Sequence, residues 1–337
     1  MKASFTKHSL LFKQASGTSR GVLTEKETFL LEISQGDKKG IGECALFRGL
    51  SYDDVPEYEQ KLQWLCQNIH EPEEFLLTEL KSFPSIVFGL EQALKNLKHG
   101  GHLYFPSAFT EGKSSIKING LIWMGSADFM QKQIEEKLSQ GFDCIKLKIG
   151  VDWPSEKEII TQLRKNFPKE QLEIRVDANG AFDFETAKRV LMELSALGIH
   201  SIEQPIKKSS IKGNYEEMAA LCSQTPTPIA LDEELIGIVE YQDKKNLLET
   251  IFPQYIILKP ALVGGFSGTD EWISLAETMG IPWWITSALE SNIGLNAICQ
   301  YTFTKNNPLP QGLGTGALFT NNFESPLVLK GDQMWYL

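Results

Sequence analysis

Cysteine and histidine are both scarce, with five of each in 337 residues. The cysteines (Cys44, Cys66, Cys144, Cys222, Cys299) are scattered, odd in number and never spaced as CxxC. That pattern argues against a disulfide framework and for reduced, buried thiols. The histidines (His8, His70, His99, His102, His200) form no HxH or HExxH pair, which argues against a histidine-based zinc site. His200, close behind Gly198-Ile199 and just before a strand, is expected to be structural. No run of Lys or Arg is long enough to follow a phosphate backbone, and the net charge is −10, so nucleic acid is not an expected partner. No segment approaches the roughly 18 uninterrupted apolar residues of a membrane span. The opening MKASFTKHSLLFKQ lacks the continuous apolar stretch of a signal peptide. A cytoplasmic location with no membrane partner is the expectation; the sequence does not report an oligomeric state.

What is present is the balance of a soluble globular chain, 42% hydrophobic and 23% charged, long enough for one α/β barrel with an additional domain. The first part reads as antiparallel β followed by helices. Residues 5–12 and 27–34 alternate as strands, with a small polar loop, Ala15 to Arg20, between them. Gly40-Ile41-Gly42-Glu43 begins another strand. A second loop, Leu46 to Leu50, leads to Ser51, which with Asp54 resembles a capping box and predicts a helix start. Val55, Tyr58, Leu62, Leu65 and Ile69 continue at helical spacing, and Ser85 to Leu97 forms another helix ended by His99-Gly100-Gly101. Residues 1 to about 112 therefore read as an α+β domain.

From Ser115 the pattern changes. Ser115 to Gly120 reads as a strand, followed by a helix around 126–140. Strands are then predicted near 144–149, 173–177, 200–203, 228–232, 255–259 and 283–287. Helices alternate with them near 155–167, 183–197, 214–223, 237–249, 268–279 and 291–303. Repeated βα units with short loops predict a parallel sheet. Seven in tandem predict a closed barrel over an open sheet, which would reverse its strand order at a switch point. The expected architecture is a modified TIM barrel, (β/α)7β, over residues 113–317, with an N-terminal α+β capping domain completed by a C-terminal tail of about 318–337.

Five charged residues close successive strands: Lys148 in CIKLKIG, Asp177 in IRVDANG, Glu203 in SIEQP, Asp232 in IALDEE and Lys259 in YIILKP. The gaps are 29, 26, 29 and 27 residues, each about one βα unit. Charges are rare at the ends of buried strands unless a site needs them. In a barrel those ends share one mouth. Asp177, Glu203 and Asp232 are hard oxygen donors with no soft partner nearby, a set that suits Mg²⁺, with Mn²⁺ as a substitute. Taken singly, each carboxylate is equally a helix cap or surface ion pair; it is the shared spacing that argues for a site. Lys146 and Lys148, two apart, face the same side of their strand. Their proximity to a metal and to each other is expected to lower their pKa values and make one a usable base. Lys259 stands across the barrel as a second base or cationic stabiliser. The reaction class is abstraction of a proton α to a carboxylate.

Those residues carry a resemblance. Lys146-Leu147-Lys148, Val176-Asp177-Ala178-Asn179, Glu203-Gln204-Pro205, Leu231-Asp232-Glu233 and Lys259 through Gly265, with Gly40 to Glu43 and Pro84 to Leu90, make the chain resemble the enolase superfamily. Within it the match is to the Lys-x-Lys, muconate-lactonizing-enzyme-like subgroup, over nearly the whole chain. The branch it most resembles dehydrates 2-succinyl-6-hydroxy-2,4-cyclohexadiene-1-carboxylate to o-succinylbenzoate in menaquinone biosynthesis. The resemblance implies that Lys148 removes the α-proton and returns it to the departing hydroxyl. Lys259 stabilises the intermediate or the new ring, and Lys146 keeps Lys148 deprotonated. Asp177, Glu203 and Asp232 bind Mg²⁺. The first domain covers the mouth, with Arg20 and Phe47 on its two loops selecting a small carboxylate substrate. Asn179 and Arg175 share the inward phase of Asp177 and are candidates to support it, Arg175 being equally well an ion-pair residue. Ser287, at the end of the seventh strand, is a candidate for a substrate carboxylate.

Two alternatives share the scaffold. An N-acylamino acid racemase keeps both lysines. A dipeptide epimerase is expected to carry Asp-x-Asp after the last strand, where this chain reads Gly312-Leu313-Gly314-Thr315-Gly316. A non-catalytic barrel serving as a binding protein would have lost a base or a metal ligand, and all five positions are filled.

Overall fold

A computed structural model describes residues 1–18, 21–208 and 215–337. The chain opens with a three-stranded antiparallel sheet, Lys2–Thr18, Gly21–Gln35 and Lys38–Cys44. The expected loop from Ala15 is corrected: Ala15 to Thr18 continue the first strand, with Ser16 paired to Leu23 and Thr18 to Gly21. Arg20 lies outside the described residues. One face of the sheet buries Phe29, Leu31 and Ile33 against helices Tyr58–Asn68 and Pro84–His99. The approach of the second helix is close enough that a side chain on Gly42 would meet the Gly89 carbonyl oxygen at 2.0 Å. Glycine there is a packing requirement.

The capping box expected at Ser51 is corrected: the helix is capped six residues later, at Glu57. Ser51 Oγ accepts from Phe47 N (2.9 Å) and Asp54 from Gly49 N (2.7 Å), so both fold the preceding loop, and the helix begins at Tyr58. Short polar side chains serve loop and helix N–H groups alike. A further helix, Glu73–Glu79, lay outside the sequence reading.

Seven parallel strands follow in strict sequence order: Gly120–Ile122, Cys144–Lys148, Glu173–Asp177, Ser201–Glu203, Ile229–Leu231, Tyr255–Leu258 and Trp283–Ile285. The order never reverses, as a barrel demands. Gln311-Gly312 closes the ring: Gln311 O accepts from Asn119 N (2.9 Å), the residue just before the first strand, and Gly312 N donates to Ile285 O (2.8 Å) in the last. The strand expected over 115–120 is two pieces. Ile116–Lys117 pairs antiparallel with Gln333–Tyr336 of the C-terminal hairpin, and only Gly120–Ile122 enters the barrel.

The helices cover the ring because each carries one apolar face. Phe184–Ala196 buries Ala187, Val190, Leu191 and Leu194, spaced by three and four. Asp183 caps it, accepting from Thr186 N (2.8 Å). The helix expected from 237 starts at Tyr241, after Gly237 turns the chain at φ 79°.

Candidate active site

Strand register sets the site. Lys148 pairs with Asp177 and Asp177 with Glu203, so these three strand ends stand side by side. Glu203 pairs with Ala230, and Asp232 stands two residues further along that strand on the same face. Lys259 follows the next strand and opens the short helix Pro260–Val263.

The charges interleave. Lys146 Nζ donates to Glu203 Oε2 (2.6 Å) and lies 3.5 Å from Asp177 Oδ2. Lys148 Nζ donates to Asp177 Oδ2 (2.7 Å) and to Asn179 Oδ1 (2.6 Å). Lys259 Nζ donates to Asp232 Oδ2 (2.5 Å) and lies 3.7 Å from Glu203 Oε1. All three carboxylates are buried, while the side chains of Lys148 and Lys259 each keep 12% exposure, enough to meet a ligand.

Burial alone would raise the Asp177 carboxyl, but Lys148, Lys146 and Lys259 hold it well below its ordinary value. Burial and the neighbouring Asp177 charge push Glu203 up to about 7. Burial disfavours the ammonium forms of Lys146 and Lys259, yet the adjacent carboxylates outweigh it and raise both. At Lys146, with carboxylates at its tip, Coulomb attraction dominates over repulsion from the neighbouring lysine.

Among the described residues, no three His, Cys, Asp or Glu side chains are arranged to hold a metal as they lie. The reason is on view: Lys146 and Lys259 place ammoniums between the carboxylates. In donor chemistry the set does fit a hard divalent cation. It offers only oxygen, and Glu203 Oε1 is a buried carboxylate oxygen with no hydrogen-bond donor among the described residues.

One cavity meets the three lysines of this cluster and, of its carboxylates, Asp177. Lys146, Lys148, Asp177, Asn179 and Lys259 line it together with Asn119, Leu121 and Trp123 from the first strand and Thr286 to Leu289 after the seventh. Gly312, Gly314 and Thr315 complete the barrel side, and Phe47 and Leu50 reach in from the N-terminal part. Those two pack on Ile236, Leu262 and Ala288, so the loop is seated on the ends of three barrel strands. Ser287 lines the cavity with its Oγ 2.6 Å from Thr315 Oγ1. Asn179, at φ 44°, is held by Glu233, whose Oε1 accepts from Asn179 Nδ2 (3.1 Å).

Arg175 is placed elsewhere. It does face inward, but its guanidinium donates to Glu173 Oε1 (2.7 Å) and Pro310 O (2.9 Å) and lies 4.2 Å over the Trp284 ring. Its register partner Lys146 starts at the same height and turns to the site carboxylates, while Glu173, Pro310 and Trp284 hold the Arg175 guanidinium away from them. Leu50, Leu121, Trp123 and Leu289 were missed by sequence reading. Trp123 had one usable signal, an aromatic just beyond the end of a barrel strand.

Residues 129–334 match the Enolase C-terminal domain-like family, and residues 7–97 match the MenC N-terminal domain. The o-succinylbenzoate synthase of Desulfotalea psychrophila is 44% identical, with 98% of each chain covered. The crystal structure of MenC from the same organism superimposes with a TM-score of 0.88 at 41% identity, covering 99% of both chains. A dipeptide epimerase from Enterococcus faecalis, solved with Mg and the dipeptide L-Leu-L-Tyr, gives a TM-score of 0.83 at 18% identity over 100% of this chain and 96% of its own, a likeness of fold alone. The chain belongs to the o-succinylbenzoate synthase family of the enolase superfamily.

Proposed function

We propose that the enzyme is a lyase that dehydrates 2-succinyl-6-hydroxy-2,4-cyclohexadiene-1-carboxylate to o-succinylbenzoate, a step of menaquinone biosynthesis. The observation that carries the reading is the pair Lys148 and Lys259, both lining one cavity with three carboxylate-bearing strands between them. Lys148 Nζ takes the proton from C1; the C–H electron pair enters the ring. The same Nζ–H then protonates the C6 hydroxyl, the C6–O bond breaks, water leaves and the ring becomes aromatic. One base on one face accounts for both transfers. Lys259, across the cavity, stabilises the negative charge that develops and then the face of the new ring. Lys146, tied to Glu203, fixes that carboxylate and keeps a second positive charge near Lys148.

Asp177, Glu203 and Asp232 would hold the divalent cation, Mg²⁺ by their oxygen-only chemistry, with Mn²⁺ as a substitute. When bound, it supplies Lewis-acid stabilisation of the substrate carboxylate. Asn179 orients Lys148, and Ser287 is placed for a substrate carboxylate. Phe47 and Leu50 exclude water from the bound ring. We take residues 1–112 with 318–337 as the capping unit and 113–317 as the barrel. Backbone bonds from Lys13 to Leu318 and from Thr320 to Leu11 support placing the start of the tail with the cap. No described helix is long and apolar enough to cross a membrane, and all five thiols are free, which supports a cytoplasmic setting.

The test is to incubate the purified protein with Mg²⁺ and the cyclohexadiene substrate and follow loss of diene absorbance. Turnover is expected. No turnover, together with epimerisation of dipeptides or racemisation of N-acylamino acids, would replace the reading.

A further inference from the structure

Outside the lysine–carboxylate cluster, a buried ammonium on Lys26 and one buried carboxylate oxygen on Glu290 have no hydrogen-bond partner among the described residues. Lys26, on the second strand of the N-terminal sheet, is 6% exposed, and its Nζ has no hydrogen-bond partner. Glu290, in the loop after the seventh barrel strand, is fully buried. Its Oε2 accepts from Ala288 N (2.7 Å), and its Oε1 has no donor. The acids that attract Lys26 are Glu43 and Glu290. Glu43 is already engaged: it accepts from Thr28 Oγ1 (2.8 Å), Ser291 N (2.9 Å), Ser291 Oγ (2.5 Å) and Gly294 N (3.0 Å). Among the described residues no carboxylate lies within 4 Å of the Lys26 ammonium; what brings the two groups to one wall is packing, Lys26 standing behind Phe47, Glu290 holding the Ala288 amide, and Phe47 lying on Ala288. A buried ion is tolerated only when it is offset, and unsatisfied buried groups mark places where structure serves something other than stability.

Both charges stand behind the cavity wall. The Lys26 ammonium is 5.9 Å from the Phe47 ring, and Glu290 grips the amide of Ala288. Phe47 and Ala288 line the cavity. Between Ala288 and Glu290, Leu289 is held at φ 60°, a left-handed conformation that branched side chains rarely adopt. Such a turn persists only where its surroundings impose it. We infer that Lys26 and Glu290 are a positioning pair that sets the wall made by Phe47 and Ala288-Leu289, and so sets substrate affinity without touching the reacting atoms. The inference rests on the dehydratase reading for the identity of that substrate.

The test is a mutant cycle on Lys26→Met, Glu290→Gln and the double variant, with Lys26→Arg as the conservative control. Each single change is expected to raise KM about tenfold while kcat stays within about threefold, the signature of lost ground-state positioning. The double variant is expected to be no worse than the worse single, because the two act as a unit. Lys26→Arg restores KM. Hydrogen–deuterium exchange over residues 284–292, which needs no substrate, is expected to quicken in both single variants and recover in Lys26→Arg. Unchanged KM, additive effects in the double, or loss of thermal stability alone would overturn the pairing. If the wild type turns nothing over, the dehydratase reading fails by itself; unchanged exchange in the single variants would then still overturn the pairing.

Discussion

Replacing Lys148 tests the base assignment most directly. Its Nζ is held at 2.7 Å by Asp177 and 2.6 Å by Asn179, on the cavity surface, a fixed position that suits the proton transfer proposed for it. General acid–base catalysis contributes about 10²–10⁴ per positioned group. On the proposed mechanism one group performs two transfers, so Lys148→Ala is expected to lower kcat by about 10⁴ or more, about 5.5 kcal/mol at 1.36 kcal/mol per decade. Stability suffers less. Asp177 keeps Lys146 at 3.5 Å and the Asn179 N–H at 3.0 Å, so its carboxylate is not stranded. The cost falls below the roughly 3–5 kcal/mol of orphaning a buried charge. Lys148→Arg separates charge from basicity: guanidinium keeps the ion pair but cannot act as a base at neutral pH, so its activity should fall as far as that of Lys148→Ala. The assay is diene absorbance at saturating Mg²⁺, with thermal melts to establish folding. Either variant within tenfold of wild type, while folded, would remove Lys148 as the base.

On the proposed mechanism Lys259→Ala removes a stabilising charge and no proton transfer, so kcat is expected to fall by about 10²–10³; here Lys259→Arg should recover part of the loss, and equal inactivity of both would point to a second base. Gly42→Ala drives a methyl to 2.0 Å from the Gly89 carbonyl, backbone against backbone, and should cost at least the ~1–3 kcal/mol of an overpacked core by urea titration. Glu91 accepts from Phe266 N (2.5 Å) and Ser267 N (3.1 Å), and burial lifts its carboxyl from 4.5 to about 7. Between those values the folded state binds the proton that the unfolded state releases, so stability falls as pH rises through the window. The stability of wild type relative to Glu91→Gln should therefore decline from pH 4.5 to 7, by up to about 3 kcal/mol at 1.36 per unit; melts at both ends of the window check the sign, and a difference that grows with pH would refute it.

Local pattern made much of the barrel legible. A strand end followed by a helix recurs because one βα unit has a nearly constant length, and that is why Asp177, Glu203 and Asp232 could be aligned without coordinates. Pattern failed where one residue type serves two purposes. Ser51 and Asp54 had the look of a helix cap and instead fold the Phe47 loop. Ser115 to Gly120 had one alternating rhythm but divides between two sheets. Arg175 had the right phase but other partners, since periodicity of two specifies a face and not what the side chain meets there. Its partner Trp284 lies more than 100 residues away, beyond the reach of any local window.

The kind of chemistry was written into the chain as spacing: side-chain alternation and unit length are properties of neighbouring residues, and together they place acids and amines around one mouth. Folding alone decided how those groups pair, with Lys146 on Glu203 and Lys259 on Asp232, and what encloses them. Phe47 and Leu50 meet Thr286 to Leu289 across more than 230 residues of sequence. Such contacts follow from packing between elements, which no intrinsic preference of a single segment encodes.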